Sequence, residues 1–146
     1  MKDYLFKSIL AIACLMLLSI TLSGQNAKGG GGGGGSTGGS GCAVVYTPRL
    51  STTTASPGTN IGVFGKVTNC ASGKKRYTVT ASSTSSCGEE TIIASALISF
   101  NGGETKGISV AYPIAPDTCL GTMTVTVSVY DGGTLLAIGS TTLTIQ

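Results

Sequence analysis

Apolar and polar residues alternate along much of the chain between Cys42 and Gln146. The clearest run sets Met123, Val125, Val127 and Val129 against Thr122, Thr124, Thr126 and Ser128. A period of two is typical of a half-buried β-strand, because successive side chains point to opposite faces of the sheet. β-Branched residues occur in both sets, as a pleated surface favours. The pattern therefore predicts an all-β domain built from antiparallel strands.

Turn signals divide this region into strands at short intervals. Asn101-Gly102-Gly103 and Asp131-Gly132-Gly133 are typical of hairpin turns, because Asn, Asp and Gly tolerate positive φ. The predicted strands span residues 43–53, 60–70, 75–83, 91–100, 105–112, 121–130 and 134–145. Seven short strands in a region of this length predict a seven-stranded antiparallel immunoglobulin-like β-sandwich.

The last predicted strand contains a shift in its apolar positions. The inward set changes from Leu136 and Ile138 to Leu143 and Ile145, which reverses the parity of the alternation. One extra residue in the strand would produce such a shift, and glycine often marks these sites. We therefore expect a β-bulge near Gly139.

Residues 1–24 have the organisation of a secretory signal peptide. Two lysines precede an almost uninterrupted apolar run from Ile9 to Leu22. This run is shorter than the roughly 20 residues that a transmembrane helix needs. Small residues follow it, so we expect export and cleavage after Gly24 or Ala27. An uncleaved N-terminal membrane anchor is the alternative.

Cys14 adds a third interpretation of the same segment, which is lipidation. The sequence from Leu10 to Cys14 loosely resembles a bacterial lipobox, with Ala13 just before the cysteine. The apolar run continues beyond it to Leu18, whereas a lipidated cysteine normally ends such a run. We therefore favour a cysteine that serves as a small apolar residue, with a tethered lipoprotein as the alternative. Contact with a membrane is expected only through this segment.

Residues 25–41 are predicted to form a flexible linker. They contain the unbroken run Gly29–Gly35, followed by Gly, Ser and Thr only. Such a chain has no large side chains to bury and behaves as a coil that spans roughly 20 Å. It is not a phosphate-binding loop, because the Lys-Ser/Thr ending of that motif is missing. The β domain then occupies residues 42–146.

The composition argues against several classes of function. The net charge is only +3 and charged residues make up 10% of the chain, which disfavours a nucleic-acid partner. There is no histidine, which excludes a Ser-His-Asp triad, a Cys-His pair and imidazole metal ligands. Glu89 and Glu90 are adjacent and would point to opposite sides of a strand. We expect no catalytic site, no cofactor and no metal site.

Five short motifs mark the turns and strand ends between Ser56 and Ile145. They are Pro57-Gly58, Val67-Thr68-Asn69, Gly103-Glu104-Thr105, Pro113 and Gly121-Thr122-Met123. These motifs resemble the immunoglobulin-like or fibronectin-III-like modules of secreted bacterial proteins, including CARDB-type domains. The resemblance implies an extracellular adhesive, spacer or assembly module without catalysis.

Four cysteines lie in the β domain, an even number that is typical of disulfides in a small secreted domain. The strand directions place Cys42 and Cys70 at one end of the sandwich, and Cys87 and Cys119 at the other. The other two pairings would span its length, whereas a bridge needs Cα atoms within about 7 Å. We predict the bonds Cys42–Cys70 and Cys87–Cys119. A zinc site is a poorer match, because no two of these cysteines form a C-x-x-C pair.

Two surface features are candidates for contact with a partner. Phe64 is predicted on the outward face of its strand, beside small residues of the strand at 105–112. Lys74, Lys75 and Arg76 form a basic cluster in a turn, where they could touch an anionic polymer. Ordinary solvent exposure without a partner is the simpler interpretation of both features.

These features favour an exported, non-catalytic immunoglobulin-like module for adhesion, binding or structural spacing. We expect it in the extracellular space, in the periplasm or at the cell surface, with a protein or a cell-envelope polymer as its partner. The predicted edge strands carry few charges, and uncharged edges are available for pairing with another chain. The alternative function is therefore a subunit of a surface filament or envelope assembly joined by edge-strand pairing.

Overall fold

The computed structural model describes residues 24–25 and 41–146, and this part of the chain is all-β. Its nine strands are β1 (Gly24–Gln25), β2 (Ala43–Leu50), β3 (Thr54–Ala55), β4 (Asn60–Asn69), β5 (Lys75–Thr84), β6 (Glu90–Phe100), β7 (Thr105–Pro113), β8 (Gly121–Asp131) and β9 (Thr134–Ile145). The seven longer strands overlap the seven predicted ones. The predicted signal peptide, apart from Gly24, and Cys14 lie outside the described residues, as does most of the predicted linker.

The strands form two sheets that pack face to face as a β-sandwich. The strand order is β1-β7-β4-β2 in the first sheet and β3-β9-β8-β5-β6 in the second. Neighbouring strands are antiparallel except for β3 and β9, which are parallel. The prediction of a wholly antiparallel sandwich is therefore wrong for this one short pair.

The first predicted strand, at 43–53, is shorter in the structure, where β2 ends at Leu50 and a separate short strand, β3, follows at Thr54–Ala55. β2 pairs with β4 in the first sheet, and β3 pairs with β9 in the second. The register of β2 shifts between Tyr46 and Arg49, where Pro48 has no N–H to donate to the ladder. The chain then leaves the first sheet after Leu50. The apolar pattern does not mark this crossing, because Leu50 before it and Ala55 after it both pack against the same core.

The fourth predicted strand lies in the second sheet. β6 pairs with β5 along its whole length, whereas a constant-type immunoglobulin domain would pair the corresponding strand with β7. As a result β6 is the edge of the second sheet, and within residues 24–25 and 41–146 the outer side of β7 is bordered by the two residues of β1.

The bulge in β9 lies at Leu136 and not near Gly139. Val129 pairs with Ala137 and Tyr130 pairs with Leu135, so Leu136 is the extra residue. Leu136 packs against the core, whereas Ile138 is 60% exposed and points outward. The prediction was wrong because residues 135–138 are all apolar, so alternation does not identify the bulged residue.

The core is formed by the inward side chains of both sheets. It consists of Ile61, Val63, Val67, Tyr77, Val79, Ala81, Ile98, Phe100, Val110, Tyr112, Ile114, Met123, Val125, Val127, Val129, Leu143 and Ile145. The inward set of β8 is buried as the alternation predicts. The Tyr77 and Phe100 rings pack at a centroid distance of 5.8 Å and join the cores of β5 and β6.

The two sides of the sandwich differ in how they are closed. On one side β2 lies against β9, so closely that a Cβ added at Gly139 would be 2.9 Å from Val45 Cγ1. On the other side the second sheet ends at β6, and the first sheet ends at β7 with the two residues of β1 beside it in the described part of the chain. There the inward-facing Ala94, Ala96 and Ile108 are only partly buried. We call the gap between β6 and β7 the open side.

Candidate interaction surfaces

Disulfide bonds join loops at the two ends of the sandwich. Cys42 and Cys70 are bonded, with a Cα–Cα distance of 5.0 Å. Cys87 and Cys119 are bonded at the other end, with a Cα–Cα distance of 6.2 Å. Both pairs are the ones expected from the strand directions. Each bond holds together two connections that lie far apart in sequence, so the ends of the sandwich are fixed.

Asn69 is the centre of a buried hydrogen-bond network beside the first disulfide. Its Nδ2 donates to the carbonyl oxygens of Gly73 and Asn101, each at 2.9 Å. Its Oδ1 accepts from the Tyr77 hydroxyl at 2.9 Å and from the Ala71 N–H at 3.0 Å. The amide thereby uses its full bonding capacity and ties the β4–β5 turn to the β6–β7 turn. Sequence reasoning missed this role, because a polar residue at a strand end is ordinary.

The Tyr77 hydroxyl connects this network to Cys42. It lies 3.1 Å from the carbonyl oxygen of Cys42 and accepts from the N–H of the same residue at 3.2 Å. Burial is the main cause that raises the pKa of Tyr77 above its usual 10.0. The backbone hydrogen bond of Cys42 lowers this pKa, and the nearby charge of Asp131 raises it. The hydroxyl is therefore protonated at neutral pH and can donate to Asn69.

The outer face of the first sheet carries exposed aromatic and aliphatic side chains. Phe64 points outward, as predicted, and is 45% exposed, while Tyr46 is 50% and Val44 is 43% exposed. The Phe64 ring lies over Gly62, where an added Cβ would be 2.8 Å from Phe64 Cζ. We call the outward surface of β2, β4 and β7 the Phe64 face. Sequence reasoning missed Tyr46. The alternation of β2 could have shown that its side chain points outward, on the strand next to the one that carries Phe64.

Small residues and two cations surround these aromatic rings. On β7 this face consists of the small residues Gly107, Ser109 and Ala111, which lie opposite Lys66, Phe64 and Gly62 of β4. Arg49 is the cross-strand partner of Phe64, and Lys66 is the partner of Tyr46. Neither cation makes a hydrogen bond or an ion pair with another of the described residues. The Phe64 face therefore combines exposed rings with positive charges that are available to a partner.

The basic cluster lies away from the Phe64 face. Lys74 is in the turn before β5, and Lys75 and Arg76 begin β5 in the second sheet. Arg76 is exposed and pairs with Ser99 of β6. Because the outer faces of the two sheets point in opposite directions, the structure does not bring Phe64 and the basic cluster into one surface.

The outer face of the second sheet consists mainly of hydroxyl-bearing residues. They are Thr78, Thr80, Ser82, Thr124, Thr126, Ser128, Ser140 and Thr142. Leu97 and Ile138 interrupt them and are 56% and 60% exposed. We call this surface the hydroxyl face. Leu97 and Ile138 are at least as exposed as Phe64 and Tyr46, but their side chains are aliphatic and not aromatic.

The open side contains an apolar cleft with a cavity volume of about 20 Å³. Many of the side chains that line it are small, among them Gly65, Ala81, Ala94 and Ala96.

Lys106 bridges the two sheets at one end of the open side. Its Nζ donates to the carbonyl oxygen of Ser99 at 2.5 Å and lies 3.7 Å from Glu104 Oε1. The same atom is 5.4 Å from the centroid of the Phe100 ring. A charged contact therefore closes the cleft at this end.

A second concavity, of about 70 Å³, lies near the Cys87–Cys119 bond. Glu89 and Asp117 line it together with several hydroxyl groups. Within residues 24–25 and 41–146, no three His, Cys, Asp or Glu side chains are grouped so that they could hold a metal ion. The same part of the chain contains no helix that is long and apolar enough to cross a membrane.

No protein-family model matches the sequence, and no curated protein sequence matches it either. Solved structures are similar in fold. The alkylpurine DNA glycosylase AlkC of Pseudomonas fluorescens is 16% identical with a TM-score of 0.62, over 74% of this chain and 31% of that chain. A cycloisomaltooligosaccharide glucanotransferase of Paenibacillus is 16% identical with a TM-score of 0.59, over 73% of this chain and 14% of that chain.

The CARDB domain of the PF1109 protein from Pyrococcus furiosus is similar over most of its own length. It is 10% identical with a TM-score of 0.54, and the match covers 73% of this chain and 88% of that chain. At this identity the likeness is one of fold. It supports the resemblance to a CARDB-like module with an immunoglobulin-like β-sandwich. The chain spans only about a third of the glycosylase, at 31% of its length.

Proposed function

We propose that this chain is an exported, non-catalytic immunoglobulin-like module that binds a cell-envelope polymer or a surface protein through the Phe64 face. The observation that carries the proposal is the pair of exposed rings, Phe64 and Tyr46, beside Arg49 and Lys66, two exposed cations that make no ion pair with another of the described residues. Exposed apolar patches of this kind are typical of contact surfaces, and aromatic residues and Arg are enriched in them.

Export is supported by two independent features. The Cys42–Cys70 and Cys87–Cys119 bonds are stable in an oxidising compartment such as the periplasm or the extracellular space. The N-terminal apolar run, which two lysines precede, is typical of a segment that directs secretion. We therefore place the module outside the cytoplasm.

A non-catalytic role is supported by the architecture and by the composition. The match spans 31% of the glycosylase and 14% of the glucanotransferase, so the likeness to these enzymes covers a module and not the whole enzyme. The chain has no histidine, and Glu89 and Glu90 are adjacent residues on an exposed loop and strand end. A binding or spacing module needs only a stable scaffold and an accessible face, and this fold provides both.

Replacing both Phe64 and Tyr46 by serine is expected to weaken binding to isolated envelope material at least about tenfold, because rings at the centre of an interface carry much of its binding energy. Co-sedimentation of the purified protein with cell envelopes from the source organism measures this binding. The matched control is the double variant Leu97→Ser and Ile138→Ser. It removes aliphatic side chains of 56% and 60% exposure from the hydroxyl face.

The control variant should bind as the unsubstituted protein does. Equal losses in both double variants would show non-specific apolar adhesion and contradict a specific Phe64 face. Absence of binding by the unsubstituted protein would contradict the proposed function itself. Because Arg49 and Lys66 are exposed, an anionic polymer should also bind less tightly as the salt concentration rises.

A second candidate function is that of an assembly subunit joined through β6. This edge strand is 11 residues long, carries Glu90 as its only charge, and exposes 68% of Ile92. Long, uncharged edges are templates for pairing with another chain. If this is the function, purified protein forms multimers in light-scattering measurements, and Ser95→Lys returns it to a monomer. A monomer at about 100 µM would argue against assembly through this edge.

A further inference from the structure

The Phe64 face carries positive charge and no negative charge among residues 24–25 and 41–146. Arg49 and Lys66 are its charged residues, and both are exposed. The acids of the same part of the chain lie in connections or at strand ends outside β2, β4 and β7, at Glu89, Glu90, Glu104, Asp117 and Asp131. A partner that covers this face therefore gains from carrying negative charge.

Rings and cations alternate on this face. Arg49 is directly opposite Phe64, and Tyr46 is directly opposite Lys66 in the same pair of strands. Opposed residues of neighbouring strands have Cβ atoms about 5 Å apart, and diagonal neighbours are about 7–8 Å apart. Each ring therefore has a cation close beside it, so the apolar part and the anionic part of a partner must also lie close together.

Gly62 allows the Phe64 ring to lie low on the sheet. A Cβ added at Gly62 would be 2.8 Å from Phe64 Cζ and 3.0 Å from Phe64 Cε2, so a larger residue at this position would displace the ring. The neighbouring outward residues of β7, Ser109 and Ala111, are small. Because the tip of the ring rests against the sheet among small neighbours, its side is accessible, and Phe64 is 45% exposed. Such a ring offers an apolar surface with partial negative charge on its face.

The size of this face suits an extended polymer better than a folded protein. Its central strand, β4, has 10 residues and is about 33 Å long, and three strands are about 14 Å wide. The resulting area of roughly 450 Å² is below the roughly 800 Å² that each partner contributes to a standard protein–protein interface. A single extended chain needs only a strip of contacts, which this area provides.

We propose that the partner of the Phe64 face is an acidic polysaccharide whose sugar rings carry carboxylate groups. This inference rests on the proposed function and names the class of polymer. The C–H groups of a sugar ring form an apolar face, which packs on the rings of Phe64 and Tyr46. The carboxylates accept hydrogen bonds from the guanidinium of Arg49 and the ammonium of Lys66. A carboxylate on the sugar ring itself lies close to the packed face, as the short spacing between rings and cations requires.

Binding to three defined polymers tests the proposal. Titration calorimetry of the exported protein in about 0.15 M salt measures the Kd for polygalacturonate, dextran and polyphosphate. Dextran has sugar rings without charge, and polyphosphate has charge without sugar rings. Polygalacturonate should bind at least about tenfold more tightly than either, because only this polymer offers both. Equally tight binding of dextran would show that the cations are not used, and equally tight binding of polyphosphate would show that the rings are not used. Either result overturns the proposal.

Removing the two cations tests whether the polymer lies on this face. The double variant Arg49→Gln and Lys66→Gln should bind polygalacturonate at least about tenfold more weakly, because charge-assisted hydrogen bonds are lost. The matched control is Lys74→Gln with Arg76→Gln, which removes the same charge from two exposed residues away from the face. The control should change the Kd by less than about twofold. Equal losses in both variants would place the polymer on no particular face and overturn the assignment.

Gly62 acts as a positioning residue in this proposal, and its role has a separate test. Gly62→Ala should raise the Kd for polygalacturonate about threefold or more, because the new methyl group displaces the Phe64 ring from the sheet. Gly65→Ala is the matched control in the same strand, since its Cβ would lie 3.6 Å from Val127 Cγ2, an ordinary contact. Both variants should unfold at the same temperature. Equal Kd values for the two variants would contradict the role of Gly62.

Treated envelopes distinguish a polysaccharide from a protein partner. Envelopes digested with protease should still bind the protein, whereas periodate, which cleaves sugar rings, should reduce binding at least about fivefold. Loss of binding after protease and not after periodate would identify a protein partner and overturn the inference. Binding to untreated envelopes without binding to polygalacturonate would also overturn it and leave the proposed function intact. Absence of binding to untreated envelopes would contradict the proposed function.

Discussion

Replacing Cys42 and Cys70 together by serine is expected to lower the free energy of unfolding by about 3–4 kcal/mol. The bond joins residues with a sequence separation of 28. Removing it restores the conformational entropy of that loop in the unfolded chain, which favours unfolding. Removing the Cys87–Cys119 bond, with a separation of 32, should have an effect of similar size. The total free energy of unfolding of such a domain is only about 5–15 kcal/mol, so the loss of either bond removes a large part of its stability.

Urea unfolding of the two double variants measures these losses. Ser72→Ala is a suitable control for the first bond, because Ser72 is exposed in the same turn region and should change stability by less than about 0.5 kcal/mol. A loss below about 1 kcal/mol in a double-cysteine variant would contradict the loop-entropy argument. Peptide mapping of protein from the source organism should join 42 to 70 and 87 to 119. Free thiols at all four positions would contradict the proposed compartment.

Replacing Asn69 by aspartate is expected to cost about 2–4 kcal/mol of stability, although the two side chains have nearly the same shape. Asn69 is 0% exposed, and its Nδ2 donates to the carbonyl oxygens of Gly73 and Asn101. A carboxylate would place an acceptor against these two acceptors and bury a charge without a cation. Burial raises the pKa of such a carboxyl group. The destabilisation should therefore be largest at neutral pH and diminish as the pH falls toward about 4.

Thermal or urea unfolding at pH 7 and at pH 4 tests this expectation. Asn101→Ala is the matched control, because the network uses only the backbone carbonyl of Asn101 and its side chain is exposed. The control should change stability by less than about 0.5 kcal/mol. Similar losses for the Asn69 and Asn101 variants would show that the amide network does not hold the two turns together.

The strands and the disulfide pairing could be predicted from local patterns. The alternation on β8 and the turn residues at Asn101 and Asp131 are sequence-local, because they depend on backbone geometry within a few residues. Strand directions then follow from short connections, and they place the four cysteines of the domain at two ends. The alternation along β4 likewise predicted that Phe64 lies on an outward face, and it is 45% exposed.

The features that sequence reasoning missed all depend on contacts between distant residues. Asn69 is important because two turns meet above it, and Tyr46 joins Phe64 only because β2 and β4 are adjacent. The bulge at Leu136 was predicted at the wrong residue, because the residues around it are all apolar. In each case the pattern along the chain is compatible with more than one arrangement in space.

Local alternation and turn chemistry alone thus determined that this chain forms a two-layered β structure with bonded loops at both ends. The tertiary structure decided which edge each strand occupies. β6 pairs with β5 instead of β7, and among residues 24–25 and 41–146 this pairing leaves no ladder between β6 and β7. Strand pairing between sheet edges is a non-local choice, because backbone hydrogen-bonding groups are the same in every strand. Only the packing of the whole domain selects the partner.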